Sequence, residues 1–184
     1  MILDSEVWKK EIENQIKLIK SLLENFSKET DNEEDLLLIE FQKFTIYTSI
    51  ILRKLIQSNR ISSELIGKNY SVLKFPKNDK KINILNCYEI EKLYDLSCSK
   101  NTSFSLKNLS NNIIHSFHFL PYFGVNKESQ CPIGFYFSSD FSKENEIFLI
   151  TSEQYFKILK EVISDFIVFG EIVDGKIVKQ SIKR

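Results

Sequence analysis

Apolar residues at helical spacing dominate the first third of the chain. Over residues 5–27 they recur at steps of four and three, which keeps one helix face apolar: Ile12, Ile16, Ile19, Leu23 and Phe26. Over residues 33–58 they occupy more than one side, which is typical of a helix buried at the centre of a bundle. Because only a short polar stretch separates these segments, we expect them to pair as an antiparallel helical hairpin.

The middle of the chain carries shorter patterns. The stretch SSELIG predicts one helical turn closed by Gly67, and YSVLKF predicts a strand that stops at Pro76. We interpret NCYEIEKLYDL as helical and SKNTSFS as a polar linker, in which Ser103 or Ser105 caps the next helix. That helix, LKNLSNNIIHSF, has an apolar stripe at helical spacing.

After Phe117 the hydrophobic period changes. The stretches FHFLPYF, IGFYFSS and EIFLIT are short, aromatic and β-branched, and turn residues bound them, so we expect an antiparallel meander over residues 117–151. Thr151 and Gln154 form the pattern of a capping box at the start of a further helix. Asp174-Gly175, between two β-prone runs, predicts a terminal hairpin.

These elements predict an α+β fold in a single domain over residues 1–184. It consists of a helical core over 5–118 with a long antiparallel helical hairpin, a small antiparallel β-meander over 117–151, and a helix with a C-terminal β-hairpin over 152–184.

Composition narrows the classes of protein that fit. The 25 basic and 25 acidic residues cancel, so the chain lacks the basic excess of a general nucleic-acid binder, and such a role would need a local patch. Cys87, Cys98 and Cys131 fit no zinc pattern and are expected to be free thiols in a reducing compartment. The N-terminus lacks an apolar signal core, and no apolar run approaches the roughly 18 residues of a membrane span. We therefore expect a cytoplasmic protein without a membrane partner.

Polar residues gather on one side of the predicted helix that leads to the two histidines. Asn108, Asn111, Asn112 and His115 are separated by three, four or seven residues and share a face opposite the apolar stripe. Imidazole exchanges a proton near neutral pH, and an asparagine one turn earlier can orient it or bind phosphate oxygens. The alternative is that this face is only the solvated side of a helix.

A long helical hairpin followed by a helix whose polar face ends in Asn-x-x-x-His resembles the HEPN superfamily, the higher eukaryotes and prokaryotes nucleotide-binding domains. The resemblance extends over residues 5–118 and the helix at 152–166. It implies a role in a bacterial or phage defence or toxin–antitoxin system, and active members are dimeric, metal-independent ribonucleases. Their motif is an Arg a few residues before a His, with a polar residue often following the Arg. Here the His is His115, the polar residue is Asn111, and Ser110 stands at the Arg position.

The missing arginine favours a non-catalytic binding module, since no Arg or Lys lies between Lys107 and His118. Arg53 on the second helix is either an ion-pair partner for a nearby acid or a replacement that reaches the Asn/His face. The candidate catalytic residues are thus His115, Asn111 and Arg53. Asn108, Asn112 and His118 are the candidate ligand-binding residues, although His118 also fits a strand histidine that faces solvent. We expect no metal and no cofactor.

Three functions remain open. The first is a HEPN-like module that binds a protein partner or a nucleotide without catalysis. The second is a metal-independent ribonuclease that uses His115. The third is a plain protein–protein interaction protein that docks through a sheet edge or an aromatic surface. We also expect a homodimer, because the second helix is apolar on more sides than two neighbours can cover.

Overall fold

The computed structural model describes residues 4–26, 31–124, 131–173 and 176–183, and for 31–33, 168–173 and 176–183 it describes the backbone only. The α+β fold predicted from the sequence is confirmed. In chain order the elements are α1 (Ser5–Glu24), α2 (Asp31–Gln57), α3 (Ser63–Gly67), β1 (Asn69–Pro76), α4 (Ile90–Leu93), β2 (Lys100–Ser105), α5 (Leu106–Ile114), β3 (Ser116–Tyr122), β4 (Gly134–Ser139), β5 (Glu146–Thr151), α6 (Ser152–Ile163), β6 (Asp165–Val173) and β7 (Lys176–Lys183).

The helices α1 and α2 form the predicted antiparallel hairpin. Leu22 near the end of α1 lines the same cleft as Leu36 near the start of α2, while Val7 at the beginning of α1 lies beside Tyr47 further along α2. Ile12, Ile16 and Ile19 form the buried face of α1, as their spacing predicts. No helix in the described ranges has the length and apolar character needed to cross a membrane.

Helix α2 is the central element, and it buries polar as well as apolar side chains. Thr45, Thr48 and Ser49 are fully buried among its apolar residues. The Thr45 and Thr48 hydroxyls donate to carbonyl oxygens one turn earlier in the helix, at 2.9 and 2.8 Å. The hydroxyl of Tyr155 on α6 lies 2.8 Å from the Thr48 hydroxyl and 2.9 Å from that of Ser49, and it also reaches the Thr45 carbonyl at 3.1 Å. One side chain of α6 therefore pairs with Ser49 and adds a second hydrogen bond at Thr48.

All five strands of the main sheet are antiparallel to their neighbours, in the order β2-β1-β5-β4-β3. The inner face packs on the helices through Tyr70, Val72, Phe135, Phe137, Phe148 and Ile150. The outer face carries Phe75, Tyr136, Ile147 and Leu149, which the β1–β2 connection covers with Ile82, Ile90, Leu93 and Tyr94. The sheet thus separates two apolar clusters.

Two elements differ from the sequence interpretation. The segment SKNTSFS is not a linker: it forms β2, pairs with β1 at the sheet edge, and its last residue, Ser105, caps α5. The expected helix in NCYEIEKLYDL is reduced to the single turn of α4. The region 5–118 therefore contains two strands as well as helices, and the meander β3-β4-β5 is part of a five-stranded sheet.

The C-terminal strands β6 and β7 pair antiparallel, as the hairpin prediction requires, although the expected turn Asp174-Gly175 lies outside the described residues. The start of β6 is tied to the helices. The buried Asp165 carboxylate accepts a hydrogen bond from the backbone N–H of Ser62 at 2.8 Å, and its carbonyl oxygen accepts from the Lys9 ammonium. Burial lowers the pKa of Lys9, while the Asp165 and Glu6 charges oppose that shift.

We predict that the Tyr155 hydroxyl contributes measurably to the free energy of unfolding. In Tyr155→Phe, the Thr48 and Ser49 hydroxyls lose a buried partner, so we expect the free energy of unfolding to fall by about 1–3 kcal/mol. Urea denaturation measures this loss. The control is Tyr88→Phe, which removes the same hydroxyl from an exposed ring and should change stability little. Equal effects of the two substitutions would contradict the prediction.

Candidate functional site

The polar face of α5 opens into a groove, as its spacing predicts. Ser105 begins the helix by accepting a hydrogen bond from the Asn108 backbone N–H, and His115 ends it as the C-cap residue. Asn108, Asn111, Asn112 and His115 all line an open groove of about 570 Å³. The residues that the sequence singled out on this helix therefore lie together.

Arg53 reaches this groove from a neighbouring helix. It is half-buried on α2, and its Nη1 lies 2.9 Å from His115 Nε2. A guanidinium has only donors, so Arg53 donates and Nε2 accepts, which means that Nε2 carries no proton in this contact. Arg53 forms no ion pair within the described ranges. Of the two roles foreseen for it, the structure thus displays the contact with the Asn/His face.

Ser110, at the position of the motif arginine, points away from the groove. Its side chain is fully buried, and its hydroxyl donates to the carbonyl oxygen of Lys107 at 3.1 Å. A charged side chain at this position would enter the core, where an unpaired charge is strongly unfavourable. In this fold the guanidinium beside His115 comes from α2, and residue 110 belongs to the packing between helices.

The asparagine side chains of this face differ in whether they have hydrogen-bond partners within the protein. The Asn112 amide nitrogen donates to the Asn108 carbonyl oxygen at 2.9 Å, so this side chain is partly held by its own helix. The Asn111 Oδ1 atom is buried and has no hydrogen-bond partner among the described residues. Buried polar atoms usually have a partner. Asn111 therefore lines the groove with a buried acceptor that no described residue satisfies.

The opposite wall is the β4–β5 turn and the adjoining strands. Ser139, Ser142 and Asn145 contribute polar groups, and the ring of Phe141 is 93% exposed at the rim. The Ser142 hydroxyl accepts from the Ser139 N–H at 2.9 Å, which fixes the turn. The carboxylate of Glu146 is already paired with Lys74 at 2.8 Å.

His118 is not part of this groove, and the expectation that it faces solvent is wrong. It lies on β3, is only 2% exposed, and its Nδ1 is 2.7 Å from the Ser138 hydroxyl and 3.3 Å from that of Tyr94. Its Nε2 is buried without a hydrogen-bond partner in the described part of the chain. The pairing of β3 with β4 creates this environment, and nothing in the local sequence around His118 indicates it.

The residues missed by the sequence interpretation are those of the β4–β5 turn. The segment from Ser139 to Asn145 has the composition of an ordinary turn, and only an exposed phenylalanine within it is unusual. Among the described residues, no three His, Cys, Asp or Glu side chains come close enough to hold a metal ion together. Comparison with known proteins finds no matching family model, and no curated protein or solved structure matches the chain either.

Burial of His118 predicts a pH dependence of stability. Burial, and secondly the charge of Lys143, lower the pKa of His118 from 6.5 to about 4, with Glu144 opposing them. Above pH 6.5 both folded and unfolded chains hold it neutral. Below that pH the unfolded chain binds the proton first, so the free energy of unfolding should fall by on the order of 3 kcal/mol between pH 6.5 and 4.

Urea denaturation at several pH values measures this decrease, and His118→Gln is the comparison because it removes the titrating group. The variant retains His115 and every carboxylate, so their contributions cancel in the difference. The variant should lose less stability than wild type between pH 6.5 and 4. If wild type and His118→Gln lose the same stability between pH 6.5 and 4, His118 is not the source of the pH dependence.

Proposed function

We propose that the groove between α2, α5 and the β4–β5 turn binds the phosphate of an RNA or nucleotide. The observation that carries this proposal is the contact of 2.9 Å between Arg53 Nη1 and His115 Nε2. A guanidinium binds phosphate oxygens with two parallel hydrogen bonds, and Arg53 forms no ion pair with any described residue that would neutralise it. The chain has no net charge, so phosphate binding would depend on a local cation such as Arg53 and not on the overall charge.

The other groove residues suit the remainder of a nucleotide. The exposed ring of Phe141 stands at the rim, where a base can stack on it. The Asn108 and Asn112 side chains offer amide oxygens to ribose hydroxyls and amide nitrogens to phosphate oxygens. A volume of about 570 Å³ is within the range of small-molecule sites.

Metal-independent cleavage of RNA is the second candidate, and the position of His115 beside Arg53 favours it. When the Arg53 guanidinium turns from His115 Nε2 to a bound phosphate, the freed nitrogen can take the proton of a ribose 2′-hydroxyl, whose oxygen then attacks the adjacent phosphorus. Arg53 would stabilise the charge that develops on the phosphorane. The imidazolium returns its proton to the departing 5′-oxygen, which leaves a 2′,3′-cyclic phosphate. The missing motif arginine argued against catalysis, and Arg53 is the residue that we propose takes its role.

The resemblance to HEPN proteins agrees with this proposal in residue types and departs from it in one respect, since the arginine comes from α2. Membership of that superfamily, and a role in a defence or toxin–antitoxin system, are part of the proposal and remain predictions. A cytoplasmic location would suit such a role.

Binding of a labelled single-stranded RNA tests the site, with fluorescence anisotropy as the measurement. We expect Arg53→Ala to weaken binding by about tenfold or more, because charge-assisted hydrogen bonds to phosphate are lost. Lys54→Ala is the matched control: it removes one positive charge from the next, exposed position of α2 and should change affinity less than about twofold. Equal affinity of wild type and Arg53→Ala would reject the proposal.

The same RNA, incubated with protein in excess chelator, separates binding from catalysis. A ribonuclease should release fragments with cyclic phosphate ends, and His115→Ala should lose on the order of 100-fold or more of that rate while still binding RNA. Binding without cleavage by wild type identifies a non-catalytic module. Both variants should unfold near the wild-type midpoint, since Arg53 and His115 lie at the surface of the groove.

We also propose that a second copy of the chain covers the outer face of the helical hairpin. This face carries large apolar side chains that are between 38% and 62% exposed: Val7, Trp8, Leu18, Leu22, Leu36, Ile39, Tyr47 and Ile50. Continuous apolar surface of this kind marks an interaction site. Its flanking charges are paired on the same surface, Glu13 with Lys10 and Lys17 and Glu40 with Lys43. Two identical faces can therefore meet without net repulsion.

Light scattering after size exclusion tests this self-association. Wild type should have twice the chain mass of 21.6 kDa at micromolar concentration, and Leu18→Glu should shift it to the single mass because it places a charge inside the interface. Leu85→Glu is the matched control, since Leu85 is an exposed leucine on the β1–β2 connection, away from the hairpin. A wild-type protein of single mass would contradict the dimer.

A further inference from the structure

The β4–β5 turn, which forms one wall of the groove that contains Arg53 and His115, is shaped by its own hydrogen bonds. The backbone N–H groups of Ser142 and Lys143 both donate to the Ser139 carbonyl oxygen, at 3.1 and 3.0 Å. The Ser142 hydroxyl accepts from the Ser139 N–H in return. These bonds set the internal shape of the turn, whereas its position relative to α2 and α5 depends on contacts with the rest of the chain.

Tyr94 makes such a contact from the other face of the sheet. It follows α4 in the β1–β2 connection, belongs to the outer apolar cluster and is 1% exposed. Its hydroxyl donates to the Lys143 carbonyl oxygen at 2.9 Å, and no other described group donates to that oxygen. The groove borders Phe104 and Phe148 on the inner face. The turn is therefore contacted from both faces of the sheet.

The backbone at Tyr94 is held by pairing with the end of β1. Tyr94 forms an antiparallel bridge with Lys77, and the Asp95 N–H donates to the Pro76 carbonyl oxygen at 2.9 Å. The Lys77 N–H in turn donates to the Asn145 carbonyl oxygen at 2.9 Å. The turn is thus attached to the end of β1 at two points, directly at Asn145 and through the Tyr94 hydroxyl.

The side chains around this hydroxyl are closely packed. The Tyr94 ring meets the His118 ring edge-on, with 5.6 Å between centroids and an interplanar angle of 85°. The Lys143 ammonium lies over the Phe117 ring, 3.6 Å from its centroid. Lys143 is therefore held through its carbonyl oxygen by Tyr94 and through its side chain by Phe117. Loss of the Tyr94 hydroxyl would remove the first of these contacts and leave the carbonyl without its donor.

We propose that Tyr94 is a positioning residue for the groove: its hydroxyl holds the β4–β5 turn where Phe141 and Ser142 face a bound nucleotide. Both of these residues line the groove and lie within two positions of Lys143 in the chain, so a movement of the Lys143 carbonyl moves them as well. Tyr94 itself touches no ligand. This inference rests on the proposed phosphate-binding function of the groove.

Tyr94→Phe tests the role of the hydroxyl, because it keeps the buried ring. Anisotropy with the labelled RNA should show binding weaker than that of wild type by about threefold or more, which is the order expected for one neutral hydrogen bond. The hydrogen-bonded amides of Ser142, Lys143 and Asn145 should exchange faster, and those of α5 should not. The matched control is Tyr88→Phe, which removes the same atom from a ring 77% exposed on the same connection and should leave affinity unchanged.

A double-mutant cycle with Phe141→Leu distinguishes positioning from an effect elsewhere in the protein. If Tyr94 acts through the turn, Phe141→Leu weakens RNA binding in wild type and has little further effect in Tyr94→Phe. Additive effects of the two substitutions would overturn the inference. So would equal affinity of wild type and Tyr94→Phe while Arg53→Ala binds weakly. If Arg53→Ala binds as tightly as wild type, the proposed phosphate site is wrong and this inference is wrong with it.

Discussion

The hydroxyl of Tyr155 is the contact on which the arrangement of the helices depends. Helix α2 is buried on several sides, yet Thr45, Thr48 and Ser49 lie in its middle. The Thr45 and Thr48 hydroxyls donate within α2, whereas the buried Ser49 hydroxyl has the Tyr155 hydroxyl as its one partner among the described residues. A buried hydroxyl without a partner is unfavourable. This requirement fixes the position of α6 along α2. Since α6 follows β5 directly, the sheet is positioned against α2 by the same contact.

The groove that contains Arg53 and His115 follows from that arrangement, because these two residues belong to different helices. Arg53 is two turns beyond Thr45 on α2, and His115 ends α5, which contacts α2 and buries Leu109, Ser110 and Ile113. Ser110 is small and its hydroxyl is satisfied within α5. The guanidinium and imidazole therefore meet at the edge of a packed helix pair, where both remain open to solvent on one side.

How much the sequence could predict varies with the range of the interactions. The face of α1, the strands β3 to β5 and the Thr151 capping box depend on local spacing, and they were predicted correctly. Strand β2 was missed because it is an edge strand with mostly polar, exposed side chains, and only its pairing with β1 makes it a strand. The spacing on α5 placed the asparagines and His115 on one face. It could not place Arg53 there, which depends on how α2 crosses α5.

The two histidines show why spacing alone cannot assign a site. His115 and His118 are three residues apart, yet the helix ends between them, and a strand that begins at Ser116 turns His118 into the sheet. There its imidazole is dehydrated and held neutral between Ser138 and Tyr94. His115 stays at the surface, where a ligand can approach it. Of the two, His115 combines an accessible ring nitrogen with the neighbouring Arg53 guanidinium, and this difference is why the proposed phosphate site is built on His115 and not on His118.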